Sequence, residues 1–175
     1  MMYESCPPPH SPPPRIPPNM FCGSQSRTGK TAAFVLTMLN RVDVSKTKPQ
    51  VLCGTLYREL ARQIMAVVPH LRADYAIKTE RRVHDTFSSH IIVGTSGTMA
   101  DYIKQKILDV SEVKILVLDE AGNRKISEKC VRTKHMLPRQ HPTQIVLFSS
   151  TFPNHVRTLV SRVAPNAHEV ELKKG

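Results

Sequence analysis

From Asn19 onward, short apolar runs alternate with helical segments. Runs such as KILVLDE and QIVLFSS show no polar alternation, the pattern of strands buried on both faces of a sheet. This pattern predicts strands at Met20–Cys22, Gln50–Cys53, Tyr75–Lys78, Ile91–Gly94, Lys114–Leu118, Gln144–Phe148 and Glu169–Leu172. Helices are expected between them at Lys30–Arg41, Tyr57–Val68, Gly97–Ile107, Ser127–Met136 and Asn154–Val163. Strands alternating with helices over the whole length predict a doubly wound α/β domain, a mainly parallel sheet with helices on both faces. Ligands of such sheets bind beyond the carboxyl ends of the strands, so chemistry is expected directly after them.

Residues 1–18 do not follow the pattern. The stretch CPPPHSPPPRIPP holds eight of the 14 prolines. Proline fixes φ and donates no backbone hydrogen bond, so an extended or disordered tail is expected over 1–18, with one domain over 19–175. The tail could also serve as a ligand for an SH3-type domain.

Charge narrows the partners. The formal net charge of +11 calls for an anionic partner, nucleic acid first, against the plainer reading of a solvated basic surface. The four cysteines Cys6, Cys22, Cys53 and Cys130 form no C-x-x-C pair, which argues against a zinc ribbon and a disulfide framework and fits a reducing compartment. No apolar run approaches the ~20 residues that cross a bilayer, and the N-terminus lacks a secretory apolar stretch. The expectation is an intracellular protein with no membrane partner.

Three strand ends carry candidate chemistry. The segment SQSRTGKTAAF follows a strand and opens a helix, the context of a phosphate loop, with Ser26, Arg27, Thr28, Gly29, Lys30 and Thr31 as the cradle. Lys30 would reach terminal phosphates and the Thr31 hydroxyl would sit on Mg²⁺. Asp119 and Glu120 end ILVLDEA, where one carboxylate can orient Mg²⁺ and the next can position water. Ser149, Ser150 and Thr151 end IVLFSST and can sense a phosphate through their hydroxyls. Each has a plainer reading as well: a chance GKT at a helix start, an Asp119 N-cap, and hydroxyl caps. Taken together, in this order, they point to a nucleotide site.

The set GKTAAF, YRELARQ, IIVGTSGT, VLDEA and LFSST resembles the first RecA-like domain of the DEAD-box RNA helicases. SQS before the loop, VGTxGT in place of a TPGR ending, KHMLPR and VAPNAHEVELK resemble the subgroup that acts in mRNA export at the nuclear pore. The likeness covers residues 19 to 175. It implies a RecA-like P-loop fold, ATP and Mg²⁺ as ligands, RNA as substrate, and a cytoplasmic or nuclear location. It places ATP on Lys30 and Thr31, Mg²⁺ on Thr31 and Asp119, and the attacking water on Glu120, so that Lys30, Asp119 and Glu120 are the catalytic candidates. Arg58 and Glu59 match the PTRELA motif, and Thr95, Gly97 and Thr98 match a second RNA-contacting loop. Ser149 and Thr151 match the SAT hydroxyls that couple hydrolysis to strand separation. A cation and backbone N–H groups would contact phosphate and ribose rather than base edges.

The chain also departs from the family pattern. Arg27 replaces the middle glycine of the phosphate loop; at positive φ a side chain there costs on the order of 1–2 kcal/mol. Gly122 replaces the last Asp of the DEAD motif, and Ser150 the Ala of SAT. Leu56 and Tyr57 replace the Pro-Thr before RELA, Ser96 replaces the proline of the second RNA loop, and prolines occupy the region of the adenine-recognising Gln motif. The family clamps ATP and RNA between two RecA-like domains, so the second domain, with its arginine fingers, is expected to be missing here. A second RecA-like domain or an export factor would then act in trans. The alternative is a degenerate, non-hydrolysing RNA- or protein-binding module. A small-molecule kinase is a more remote third, against which the basic charge and RELARQ both speak.

Overall fold

In the computed structural model, residues 18–24, 30–71, 89–151 and 154–172 are described. The expected strand at Tyr75–Lys78, the tail through residue 17 and the loop residues Ser26, Arg27, Thr28 and Gly29 lie outside them.

The strands are β1 (Met20–Ser24), β2 (Val51–Thr55), β3 (Ile91–Thr95), β4 (Ile115–Leu118), β5 (Gln144–Ser149) and β6 (His168–Leu172). The helices are α1 (Lys30–Leu39), α2 (Arg58–Leu71), α3 (Ser96–Lys104), α4 (Arg124–Met136) and α5 (Asn154–Val163). The strands form one six-stranded sheet in the order β3-β2-β4-β5-β1-β6, parallel at every pairing. The first described residues are tied to the sheet: Gln144 Nε2 donates to the Pro18 carbonyl at 2.9 Å, and the Ile145 N–H to Asn19 Oδ1 at 2.8 Å.

Alternation along each strand sends residues to two separate cores. Ile115 and Val117 face one side, with Val35, Met38 and Leu39 of α1 and Ile64 of α2. Leu116 and Leu118 face the other, with Met99 and Ile103 of α3, Cys130 of α4 and Val156, Leu159 and Val163 of α5. The helices present matching stripes. The buried residues of α3 are Ser96, Met99, Ala100 and Ile103, and those of α5 are Val156, Leu159, Val160 and Val163, both at i, i+3, i+4, i+7 spacing.

Several helix ends differ from the sequence reading, α2 for instance running on to Leu71 beyond the expected Val68, and at two of them the cause is visible. The helix expected from Ser127 begins at Arg124, because the Asn123 side chain accepts from the Lys125 N–H and caps it. The helix expected to reach Ile107 stops at Lys104, because Lys106 turns left-handed at φ 59°.

The topology sets the functional edge. Helices α1 and α2 cover one face, and α3, α4 and α5 the other. The chain therefore departs to opposite faces after β5 and β1, which are neighbours, and again after β4 and β2. Each divergence opens a crevice at the carboxyl ends, where ligands of such sheets bind.

Candidate nucleotide and RNA site

β5 lies between β4 and β1, so the acidic tip, the hydroxyl tip and the strand that leads into the phosphate-loop segment occur side by side at one edge. Asp119 follows β4 directly and is 7% exposed. Its Oδ1 accepts from the Glu120 N–H at 2.9 Å. The acidic loop is pinned to both neighbouring strands: the Asp119 N–H donates to the Gly54 carbonyl at 3.0 Å and the Ala121 N–H to the Phe148 carbonyl at 2.9 Å. Glu120 is held in the left-handed region at φ 55°, a conformation that costs a non-glycine residue roughly 1 kcal/mol. Ser150 Oγ donates to Glu120 Oε2 at 3.3 Å, so the residue that departs from the SAT pattern engages the candidate water-positioning carboxylate. Burial, and secondarily the Asp119 carboxylate, push the Cys53 thiol far above its ordinary range. Cys53 is therefore an inert thiol.

Ser149 is fully buried, and its Oγ donates to the Thr151 carbonyl at 2.7 Å. The two hydroxyls of this tip close over Gly122. A Cβ on Gly122 would lie 2.8 Å from Ser149 Oγ and 2.9 Å from Thr151 Oγ1. The end of the acidic motif thus lies against the two candidate coupling hydroxyls, with no carboxylate there to engage them. The carbonyl of Gly122 accepts from His155 Nε2 at 2.7 Å, which ties the acidic loop to α5. Sequence reasoning missed His155, since a lone histidine in the first turn of a helix carries no signal.

On the other side of the sheet divergence, α1 begins at Lys30 and carries no acidic residue in its first turn, so no carboxylate of that turn opposes an anion at its positive end. Thr31 is half-buried there. The Lys30 side chain lies outside what the structure describes, as do Ser26 to Gly29.

The RNA candidates occupy the β2 and β3 tips, which are neighbours in register at Thr55 and Thr95. Thr55 Oγ1 donates to the Tyr57 carbonyl at 3.0 Å, fixing the turn into α2. Arg58 opens α2 and is exposed; Glu59, also exposed, pairs with Arg62 at 3.1 Å. Thr95 and Thr98 share a hydroxyl hydrogen bond of 3.0 Å. Gly97 lies under Lys129 of α4, whose Nζ would be 2.7 Å from a Cβ at that position. Ser96 is buried rather than displayed, its Oγ donating to the Thr55 carbonyl at 3.4 Å. Between the two groups, at the β2–β4 divergence, an open groove of about 470 Å³ is lined by Leu56, Tyr57, Glu59, Leu60 and Gln63 from the β2–α2 side and by Glu120 and Asn123.

Among the described residues no three His, Cys, Asp or Glu side chains converge as a protein-only metal cage. None of the described helices is long and apolar enough to cross a membrane.

Residues 14–159 match the family model for DEAD/DEAH box helicases. The chain is 47% identical over 167 residues to the ATP-dependent RNA helicase dbp5 of Schizosaccharomyces pombe, covering 90% of this chain and 33% of that protein. Among solved structures, Saccharomyces cerevisiae Dbp5 bound to RNA and ADP BeF3 matches with a TM-score of 0.82 at 39% identity, over 91% of this chain and 43% of that one. A Dbp5 variant from the same yeast, bound to Nup159, Gle1, IP6 and ADP, matches with a TM-score of 0.83 at 39% identity, over 91% and 45%. The chain spans about a third of the length of the curated relative it matches.

Proposed function

Because the chain belongs to the DEAD/DEAH box helicase family, we propose that it serves as the first RecA-like domain of an ATP-dependent RNA helicase acting in mRNA export. The observation that carries this reading is the adjacency of three strand tips, with β5 flanked by β4 and by the strand leading to Lys30. Lys30 and the backbone of Ser26–Gly29 bind the phosphates of ATP, at the positive end of α1. Thr31 and Asp119 fit Mg²⁺, a hard cation that takes one or two protein oxygens and completes its shell with phosphate and water. Bound there, the ion would neutralise charge on the transferring phosphate. Glu120, fixed by its left-handed backbone and by Ser150, orients the attacking water. Ser149 and Thr151 report the state of the site through Gly122.

Arg58 and the loop of Thr95, Gly97 and Thr98 hold the RNA backbone, with little dependence on sequence and strong dependence on salt. A second RecA-like domain, in the same protein or in trans, completes the clamp and supplies arginine fingers. RNA, ADP, Nup159 and Gle1 accompany the yeast relatives, and partners of the same kind fit a site of action at the nuclear pore and in the cytoplasm. Gly122 bears on coupling rather than on binding. The alternative of a non-hydrolysing binding module gains nothing from relatives named as ATP-dependent helicases.

The test is titration of Mg-ATP and of single-stranded RNA into the chain and its Lys30→Ala and Asp119→Asn variants. A loss of nucleotide affinity of about 10-fold or more in both variants, with RNA binding retained, is expected from losing a charge-assisted contact. Equal nucleotide affinity in all three would remove the assignment.

A further inference from the structure

We propose that Lys129 of α4, laid across Gly97, supplies the phosphate-binding cation of the loop of Thr95, Gly97 and Thr98. The inference rests on the RNA reading above and adds to that surface a residue from a separate helix. The loop has no charge of its own: it reads Thr95, Ser96, Gly97, Thr98, with Thr98 where the TPGR ending carries arginine. Its hydroxyls are already engaged. Thr95 and Thr98 bond to each other at 3.0 Å, and Ser96 turns inward to the Thr55 carbonyl. A cation for the RNA backbone at this tip must therefore come from elsewhere, and such contacts are made chiefly by Lys and Arg.

Helix α4 provides it. Ile126, Cys130 and Thr133 form its buried stripe, and Lys129, three residues after Ile126, flanks that stripe on the side of α3. A Cβ on Gly97 would lie 2.7 Å from Lys129 Nζ, 3.3 Å from Cε and 3.6 Å from Cδ, so the end of the lysine side chain runs over the glycine. The side chain that Gly97 lacks is the space the lysine fills. Lys129 is nevertheless exposed, and among the described residues its ammonium enters no ion pair. The stem is packed while the charge is left to meet an anion, as long cationic side chains allow. An ammonium is a compact point charge that takes any phosphate oxygen, so the added contact carries no sequence preference.

The test is fluorescence anisotropy of a single-stranded uridine 10-mer across a series of salt concentrations. The chain is compared with Lys129→Gln, Lys129→Arg, Gly97→Ala and the double variant of Lys129→Gln with Gly97→Ala, each checked for native circular dichroism. Lys104→Gln, in the last turn of α3 and exposed, removes the same charge elsewhere. Lys129→Gln should reduce the salt slope by ~0.7, one phosphate contact on a single strand, and Lys129→Arg should keep it. Lys104→Gln should leave the slope as in the parent. Gly97→Ala displaces only the flexible end of the lysine, so the fold should hold while RNA affinity falls. In the Lys129→Gln background the same change should cost nothing further, the signature of two residues acting through one contact. An unchanged slope in Lys129→Gln, an equal drop in Lys104→Gln, or a Gly97→Ala loss as large without the lysine as with it would overturn the assignment while leaving the RNA reading intact. No binding of the parent chain to the oligomer would instead remove the RNA reading itself, and the role of Lys129 with it.

Discussion

At the β4–β5 tips Asp119 and Ser149 are buried and bonded to backbone, whereas at the β2–β3 tips Tyr57, Arg58 and Glu59 stand in solvent. Asp119 and Ser149 are part of the fold: one is pinned by Gly54 and Glu120, the other holds the Thr151 carbonyl. Arg58, by contrast, is exposed, and its side chain bridges no two elements among the described residues. On the proposed reading, one edge of one sheet carries two kinds of function. A site that must place a metal and a water within tenths of an ångström is built into the core, where packing fixes rotamers. A site that grips a polyanion along its length needs only charge and reach. Substitutions at the first should cost stability together with activity; those at the second should cost affinity alone.

The seam between the two regions should give the largest effect. A Cβ on Gly54 would lie 2.8 Å from Leu118 Cδ2 and 2.9 Å from Ser96 Oγ, so Gly54→Ala overpacks the ends of β2, β4 and α3 at once. It should destabilise by about 1–3 kcal/mol in urea unfolding. Within the buried tip, Ser149→Ala removes the 2.7 Å bond to the Thr151 carbonyl and should cost about 1 kcal/mol in the same assay.

Far from either site, Asp109 pairs with Lys48 at 2.9 Å. The hydrogen bond from Lys48 first, and those from Ser111 next, hold the Asp109 carboxyl down at about 2 against an ordinary 3.8. A depressed carboxyl stabilises the fold fully above its ordinary value and loses that contribution as pH falls toward its folded value. Asp109→Asn should therefore lower Tm slightly at neutral pH, and the gap from the parent should close between about pH 4 and pH 2. The smallest change in stability belongs to the exposed tip. Arg58→Ala should leave it within about 0.5 kcal/mol, while reducing the salt slope of RNA binding by ~0.7, one phosphate contact on a single strand. A large loss of stability from Arg58→Ala, or none from Ser149→Ala, would erase the contrast between the regions.

Much of this was legible because the core is arranged in two alternating sets. KILVLDE and QIVLFSS announced β4 and β5, and with them the placement of Asp119 and Ser149 at strand ends. β2 and β3 reach Thr55 and Thr95, beyond the expected ends at Cys53 and Gly94. Backbone pairing carries β2 through Gly54, which has no side chain to signal it, and takes β3 one residue further to Thr95. The start of α4 was hidden because its cap, Asn123, stands alone after Gly122 with no apolar periodicity to mark it. The contacts of Gly122 with Ser149 and Thr151, and of His155 with Gly122, join residues about thirty positions apart and exist only once β4 and β5 are neighbours. Tyr57 read as a departure from a motif; its exposure beside an open groove emerges only from how α2 and the β4–α4 turn diverge.

The central claim is spatial: one nucleotide lies at the meeting of α1, the acidic tip and the hydroxyl tip. Backbone-amide NMR of the chain titrated with Mn²⁺-ATP tests it directly, because the paramagnetic ion broadens only the amides near it. The account predicts that Thr31, Glu120, Ala121, Ser150 and Thr151 broaden together, while Lys114 and Gln144 at the opposite edge of the sheet stay sharp. Broadening centred on that opposite edge, or on only one of the three tips, would contradict it.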